Sequence, residues 1–191
     1  MNNFNLIKKG LEKEFEWFTK QYKLTYFQNI RLRIFPIGKN ESETWGEEKN
    51  GYLLYEHDEP QNGCDIILVL NTDVLHDDID RMMISKYQLG PTYELYFFML
   101  YHELGHVMDL EQAYEGQGSL GISRKLNQYQ REVERVEEEY QIGKLKDREI
   151  SMMYRNLVFE KFADDFASKI YHKRISFIRE YIHEMGVSNY E

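Results

Sequence analysis

The run YELYFFMLYHELGHVMDL, residues 93–110, constrains this chain more than any other stretch. Pro91 precedes it, where a proline suits the first turn of a helix, and the spacing predicts a helix over about 92–110. The apolar YELYFFML half is enough to bury that helix, which sets His102 and His106 at the edge of a core. On a helix, positions i and i+4 share one face. Both imidazoles can therefore aim at a single point, and that geometry suits tetrahedral zinc at about 2.0–2.1 Å per nitrogen. Glu103 falls one residue round the helix, beside the ligands rather than among them. In an H-E-x-x-H arrangement it is the base that deprotonates a water whose pKa the metal has lowered to about 7. Gly105 costs a helix about 1 kcal/mol against alanine. It is explained if something must approach the backbone closely there.

Two histidines hold zinc weakly, and a catalytic site needs three protein ligands with a fourth position open. In HELGHVMDLEQ, Asp109 and Gln112 stand where an extended motif would need Gly and His. The third ligand must come from elsewhere. The best candidate lies in NLVFEKFADDFASKI, residues 156–170, where Val158, Phe159, Phe162, Ala163, Phe166, Ala167 and Ile170 form an apolar helical face. Glu160 and Asp164 flank it at i, i+4, a spacing at which two carboxylates repel unless a cation or an imidazole compensates. Glu160 is read as the ligand, and Asp164 as acceptor of the His102 N–H behind it. Small Ala163 and Ala167 allow close approach to the histidine helix. A solvated acidic edge is the plainer alternative. Glu132, Glu134, Glu137, Glu138 and Glu139 compete, but their density and arginine neighbours suggest a water-facing surface. His172 and His183 are read as surface or core-edge histidines.

The 191 residues suit one domain with a possible helical extension, and 42% hydrophobic residues supply a core. A net charge of -9 disfavours nucleic acid as a partner. The one basic stretch, HKRISFIR (172–179), reads as a solvated helix face. No segment reaches the roughly 20 apolar residues of a membrane span, and the amino-terminal stretch has no signal-peptide run. A lone cysteine, Cys64, permits no internal disulfide, which fits a reducing compartment; cytoplasm is expected. Helical spacing covers 4–22. Strands are predicted at 31–37, 51–57 and 64–70, with the third the strongest, so a small antiparallel or mixed sheet follows. Asn71 or Thr72 is expected to cap a short helix running to about 86. Residues 115–121 read as a loop, 122–141 as a charged solvated helix, and 148–171 with 173–185 as two helices or one bent one. The class is α+β.

HELGH followed by EKFADDFA resembles the H-E-x-G-H … E-x-x-A-[ND]-x-F-A pattern of the ImmA/IrrE-type metallopeptidases, within the gluzincin group of zincins. IILVLNT is similar to the strand that precedes the active helix in that family. The resemblance covers about residues 64–170. It implies a minimal zincin fold with an N-terminal helix, a small three-stranded sheet, an active-site helix and C-terminal helices. It further implies Zn2+ on His102, His106 and Glu160, Glu103 as base, Asp164 at the position usually filled by Asn or Asp, and an intracellular protein or peptide substrate. The chain departs from the pattern in the 54 residues from His106 to Glu160 (160 − 106). A charged helical insertion at about 115–145 would account for them. Zincins commonly bind peptide along a sheet edge, and CDIILVL is one candidate for that edge, or else a central strand.

Two rivals remain. Glu103-x-x-His106 and Glu180-x-x-His183 form the paired motif of di-iron carboxylate bundles, although strands and an idle His102 argue against it. The other rival is a catalytically silent zincin-like binding or regulatory module, which would have no need of Glu103. The oxyanion-stabilising group is not chosen by the sequence; Tyr154, Tyr171 and His172 lie on the right part of the chain. Oligomeric state is not legible.

Overall fold

A computed structural model of the protein describes residues 3–36, 51–55, 63–70, 78–90, 93–144, 147–184 and 186. The elements run α1 (Asn3–Gln21), β1 (Asn29–Pro36), β2 (Gly51–Tyr55), β3 (Gly63–Leu70), α2 (Asp78–Tyr87), α3 (Tyr93–Gln117), α4 (Ser119–Gln141), α5 (Asp147–Tyr154) and α6 (Val158–Glu184). The protein is α+β and mostly helical. The expected caps at Asn71 and Thr72, and Pro91, lie outside the described residues.

β1 and β3 pair in parallel over their full length, from Asn29 opposite Gly63 to Pro36 opposite Leu70. β2 pairs antiparallel with β3 on its other side. A central strand covered on both faces reads as an unbroken apolar run, and β3 is buried at nearly every position. CDIILVL is therefore not the sheet edge: hydrogen bonds occupy both of its sides, so no peptide can add to it.

α3 is the centre of the molecule. Sixteen of its 25 residues are buried, as a helix apolar on most sides requires. Three buried carboxylates tie it and α1 to their neighbours. Glu111 accepts the backbone N–H groups of Thr25, Tyr26 and Phe27 at 2.9, 2.9 and 2.7 Å, which fixes the turn from α1 into β1. Glu14 on α1 accepts from Tyr101 and from Arg174, whose Nη2 is 2.6 Å away. Glu94 accepts from Tyr171, from the Gly90 N–H and from Arg179 Nε at 2.9 Å. The cations of HKRISFIR are thus not a free basic face. Arg174 and Arg179 are committed to buried carboxylates, and Lys173 and Arg174 also lie over the Trp17 ring.

Two helix boundaries differ from the sequence expectation. α3 continues to Gln117, and the loop expected at 115–121 shrinks to Gly118, whose φ of 62° turns the chain directly into α4. Residues such as Ala113, Glu115 and Gln117 are good helix formers, and burial of Leu110 and Glu111 carries the helix past 110. The second difference is at the end of the chain. α6 runs unbroken through 172, and the interruption falls at 155–157 instead. There the Asn156 and Leu157 N–H groups fold back onto the Met153 and Tyr154 carbonyls, each at 3.0 Å. The Val158 N–H, one of the orphan donors of a helix start, is satisfied by Glu132 of α4 at 3.2 Å. A contact 26 residues away in sequence sets that helix start. Among the described residues no helix is long and apolar enough to cross a membrane.

Burial pushes the Glu94 carboxyl up, but its hydrogen bonds to Arg179, Tyr171 and Gly90 outweigh this and hold it below the ordinary carboxylate value. A lowered folded value means stability that is complete above the unfolded pKa, about 4.3. That stability is lost as pH falls through the folded value. Glu94→Gln should therefore lower the melting temperature at pH 7 and narrow the gap from wild type below about pH 4. Thermal unfolding from pH 7 to pH 3 checks this; a gap that is constant across that range refutes the linkage.

Candidate metal centre

His102 and His106 project from the middle of α3, and Glu160 from the first turn of α6. What brings them together is a close crossing of the two helices. A Cβ added at Gly105 would lie 2.7 Å from the Ala163 Cα and 3.0 Å from its carbonyl oxygen. The helix backbones therefore touch where the sequence places a glycine against a small residue. Ala163 and Ala167 are fully buried at this crossing.

The three candidate ligands present their donor atoms to one another. His102 Nε2 and His106 Nε2 are 3.1 Å apart. Glu160 Oε2 is 3.2 Å from His102 Nε2, and Glu160 Oε1 is 3.6 Å from His106 Nε2. Ligands about 2.0–2.1 Å from a tetrahedral zinc stand about 3.3 Å from each other, and the observed spacings bracket that value. The donors thus fit a single small cation. Among the described residues this is the group of histidine, cysteine and carboxylate side chains found close enough to hold one.

Asp164, one turn past Glu160, is buried and receives His102 Nδ1 at 2.9 Å. With Nδ1–H donated to Asp164, release of the second ring proton on metal binding would leave the Nε2 lone pair facing His106 and Glu160, the tautomer a ligand needs. Asp164 also accepts from the Tyr87 hydroxyl at 2.9 Å and pairs with Lys86 at 3.6 Å. α2 thereby buttresses the site from a third side, and Tyr87 itself stacks on Phe98 of α3.

Charge is densely arranged here. Burial pulls the His102 pKa down, but hydrogen bonds to Asp164 and Glu160 more than offset it and hold the ring at about 9. Burial and the neighbouring His102 cation push His106 down to about 3. Burial lifts Glu103 to about 7, with the His102 charge opposing. Glu160 and Asp164 are desolvated too, yet their hydrogen bonds to His102 keep both below the ordinary carboxylate range.

The sequence reading missed Arg155. Its Nη1 lies 3.1 Å from Glu160 Oε2, 3.4 Å from Asp164 Oδ1 and 3.4 Å from His102 Nε2. Within one helix over 148–171, positions 155 and 160 would face about 140° apart. The guanidinium reaches the site only because the chain turns at 155–157. Tyr87 and Lys86 were equally invisible, being more than 70 residues from Asp164.

The other sequence candidates stand elsewhere. The Tyr171 hydroxyl is bound to Glu94 in the core, His172 is exposed and bonded to Ser168, and Tyr154 donates to Glu137 at 3.3 Å. The acids of α4 do not join the ligand group; Glu132 is engaged with Val158. Glu180 and His183 are exposed and lie twenty or more residues beyond Glu160 on the same helix, about 30 Å along its axis. The di-iron pairing is therefore not formed. α4 does flank the site: Tyr129 packs on Phe159 with ring centres 4.4 Å apart, and Phe159 meets the His106 ring at 5.7 Å. Phe159 belongs to a second small core with Val136 and Leu157, and Tyr129 packs against both this core and the main one.

The chain matches no protein-family model, no curated protein and no solved structure. His102, His106 and Glu160 are nevertheless joined in space as a largely buried group that could hold a metal ion.

Two substitutions test the construction. Gly105→Ala gains about 1 kcal/mol of helix propensity but drives a methyl into the Ala163 backbone. A net loss of about 1–3 kcal/mol, as for overpacking, is expected in denaturant melts; a stabilised variant would contradict the close crossing. Asp164→Asn should leave the fold intact by circular dichroism and weaken the affinity of the group for an added divalent metal, read by chelator competition, by about 10–100-fold.

Proposed function

We propose that the protein is a zinc-dependent metallopeptidase that hydrolyses peptide bonds of an intracellular protein or peptide. The observation that carries this reading is the convergence of three ligand atoms with spacings of 3.1, 3.2 and 3.6 Å beside a buried carboxylate that is not one of them. Two imidazoles and one carboxylate favour zinc over calcium or magnesium, which prefer all-oxygen sites. Three protein ligands rather than four is the pattern of a catalytic site. A divalent cation supplies Lewis acidity in such a site, polarising a carbonyl and making water acidic enough to lose a proton near neutral pH.

The chain's own groups then divide the remaining work. Glu103 follows His102 on the helix and is 7% exposed. Its carboxyl, buried beside the ligands and not one of them, is the group available to take a proton from water and return it to the leaving amine. Asp164 keeps His102 in the tautomer that presents Nε2. Phe159 against His106 and the apolar face of α4 keep bulk water from one flank. A site with a purely structural role has no use for a buried base beside its ligands.

Elemental analysis of untagged protein, with a quenched-fluorescence peptide library as substrate, tests the reading. Wild type should carry about one zinc per chain. Glu160→Ala should lose it, while Glu103→Gln should keep it and lose hydrolysis by at least about 10²-fold. Protein that takes up no zinc when zinc is supplied overturns the reading. Zinc binding with no Glu103-dependent hydrolysis would instead identify a silent binding module.

A further inference from the structure

Hydrolysis of a peptide bond moves negative charge onto the carbonyl oxygen, and a donor fixed where that charge develops is worth about 10²–10³ in turnover. Of the residues the sequence left open for this role, Tyr171 and His172 are engaged elsewhere, and the Tyr154 hydroxyl, near enough to Glu160 to feel its charge, donates to Glu137. Among the described residues, two basic side chains reach the acids around the ligand group. Lys86 approaches the far oxygen of Asp164, at 3.6 Å from Oδ2. Arg155 borders the ligands themselves, against Glu160 Oε2 and His102 Nε2.

Arg155 reaches the ligand group from the solvent side. Its three contacts all run through Nη1, and two of them are to the His102 and Glu160 atoms that a bound metal would take, which would release that nitrogen. Among the described residues the Nε and Nη2 donors have no partner, so one edge of the planar fork remains to be used. The side chain is 29% exposed, while Asp164 is 1% and Glu160 17% exposed. It therefore bridges from solvent to ligands. A lysine could place a charge and rotatable donors there, but not a fixed planar pair of N–H groups. The plainer role is neutralising the Glu160–Asp164 pair, which needs no free donors and no exposure.

We propose that Arg155 is the electrophilic residue of the reaction: its guanidinium binds the carbonyl oxygen of the scissile bond and stabilises the charge that grows on it. This rests on the metallopeptidase reading above. In the first step, water oxygen bonds to the carbonyl carbon. The C=O π pair moves to the oxygen held by Arg155, and a water proton passes to Glu103. In the second step, that pair re-forms C=O, the C–N bond breaks, and Glu103 returns the proton to the leaving nitrogen. The products are a carboxylic acid and an amine. Arg155 neither gains nor loses a proton.

Cobalt-substituted full-length protein, titrated with inorganic phosphate as a tetrahedral oxyanion and followed by its visible d–d absorption, tests the role. Zinc affinity by chelator competition is measured alongside. Arg155→Gln should hold zinc at least as tightly as wild type, because a positive charge beside Glu160 has gone. Its phosphate affinity should fall by about tenfold or more, with partial recovery in Arg155→Lys. On any peptide cleaved by wild type, kcat should fall by about 10²–10³-fold with KM little changed. Loss of zinc in Arg155→Gln would show that Arg155 only organises the ligands, and overturns the proposal. Unchanged phosphate affinity, or no phosphate binding by wild type, overturns it as well. Wild type that takes up neither cobalt nor zinc is a different result: it removes the metallopeptidase reading before Arg155 is touched, and this inference with it.

Discussion

The structure depends on one close contact, the backbone approach of α3 and α6 at Gly105 and Ala163. A buried metal site assembled from two helices needs their axes near enough for an imidazole and a carboxylate to share one point. Bulky residues at the crossing would hold the axes at the usual 8–10 Å. Glycine against alanine removes that spacer. The approximately 1 kcal/mol that glycine costs in helix propensity is returned as packing between two apolar faces. His102, His106, Glu160 and Asp164 all lie within one turn of that crossing.

Close approach alone would leave α3 free to slide or rotate, and polar groups prevent it. Glu111 holds three backbone N–H groups of the α1–β1 turn, while Glu14 and Glu94 draw Arg174 and Arg179 of α6 inward. Buried carboxylates are costly unless each is fully paired, and here their partners come from three different elements. Any register slip of α3 by a residue would strand several of them at once. The geometry these pairs hold is the rotational setting of the histidine helix.

Burial also gives the site its chemical character. Within one cluster, neighbouring groups are driven in opposite directions: His102 up by its carboxylate partners, His106 down by burial and the adjacent charge, and Glu103 up by desolvation. Divergent proton affinities of this kind follow from burial and pairing together, and they mark the cluster as a candidate functional site. Glu103 and Asp164 are both acids of the same helical pair. They differ because Glu103 has no hydrogen-bonded cation to hold it ionised, while Asp164 accepts from His102, Tyr87 and Arg155.

Local information was enough for several features. Apolar spacing placed α1, β1, β3 and the core of α3. The i, i+4 relation placed both histidines on one face, and the Glu160/Asp164 pair with its small neighbours pointed to the partner helix. Other features had no local signature. β3 became central because other strands paired on both sides of it, and its apolar run is compatible with either position. α6 begins at Val158 because Glu132 of α4 caps it, and residues 155–157 have no breaker to announce that. Arg155 enters the site only through that break, and Tyr87 only through the packing of α2. The sequence by itself singled out the residues that form the candidate ligand group, because helical periodicity relates neighbours in the chain. Only the tertiary structure decided what surrounds them, because cations, buttresses and caps are brought there by contacts between segments that no period connects.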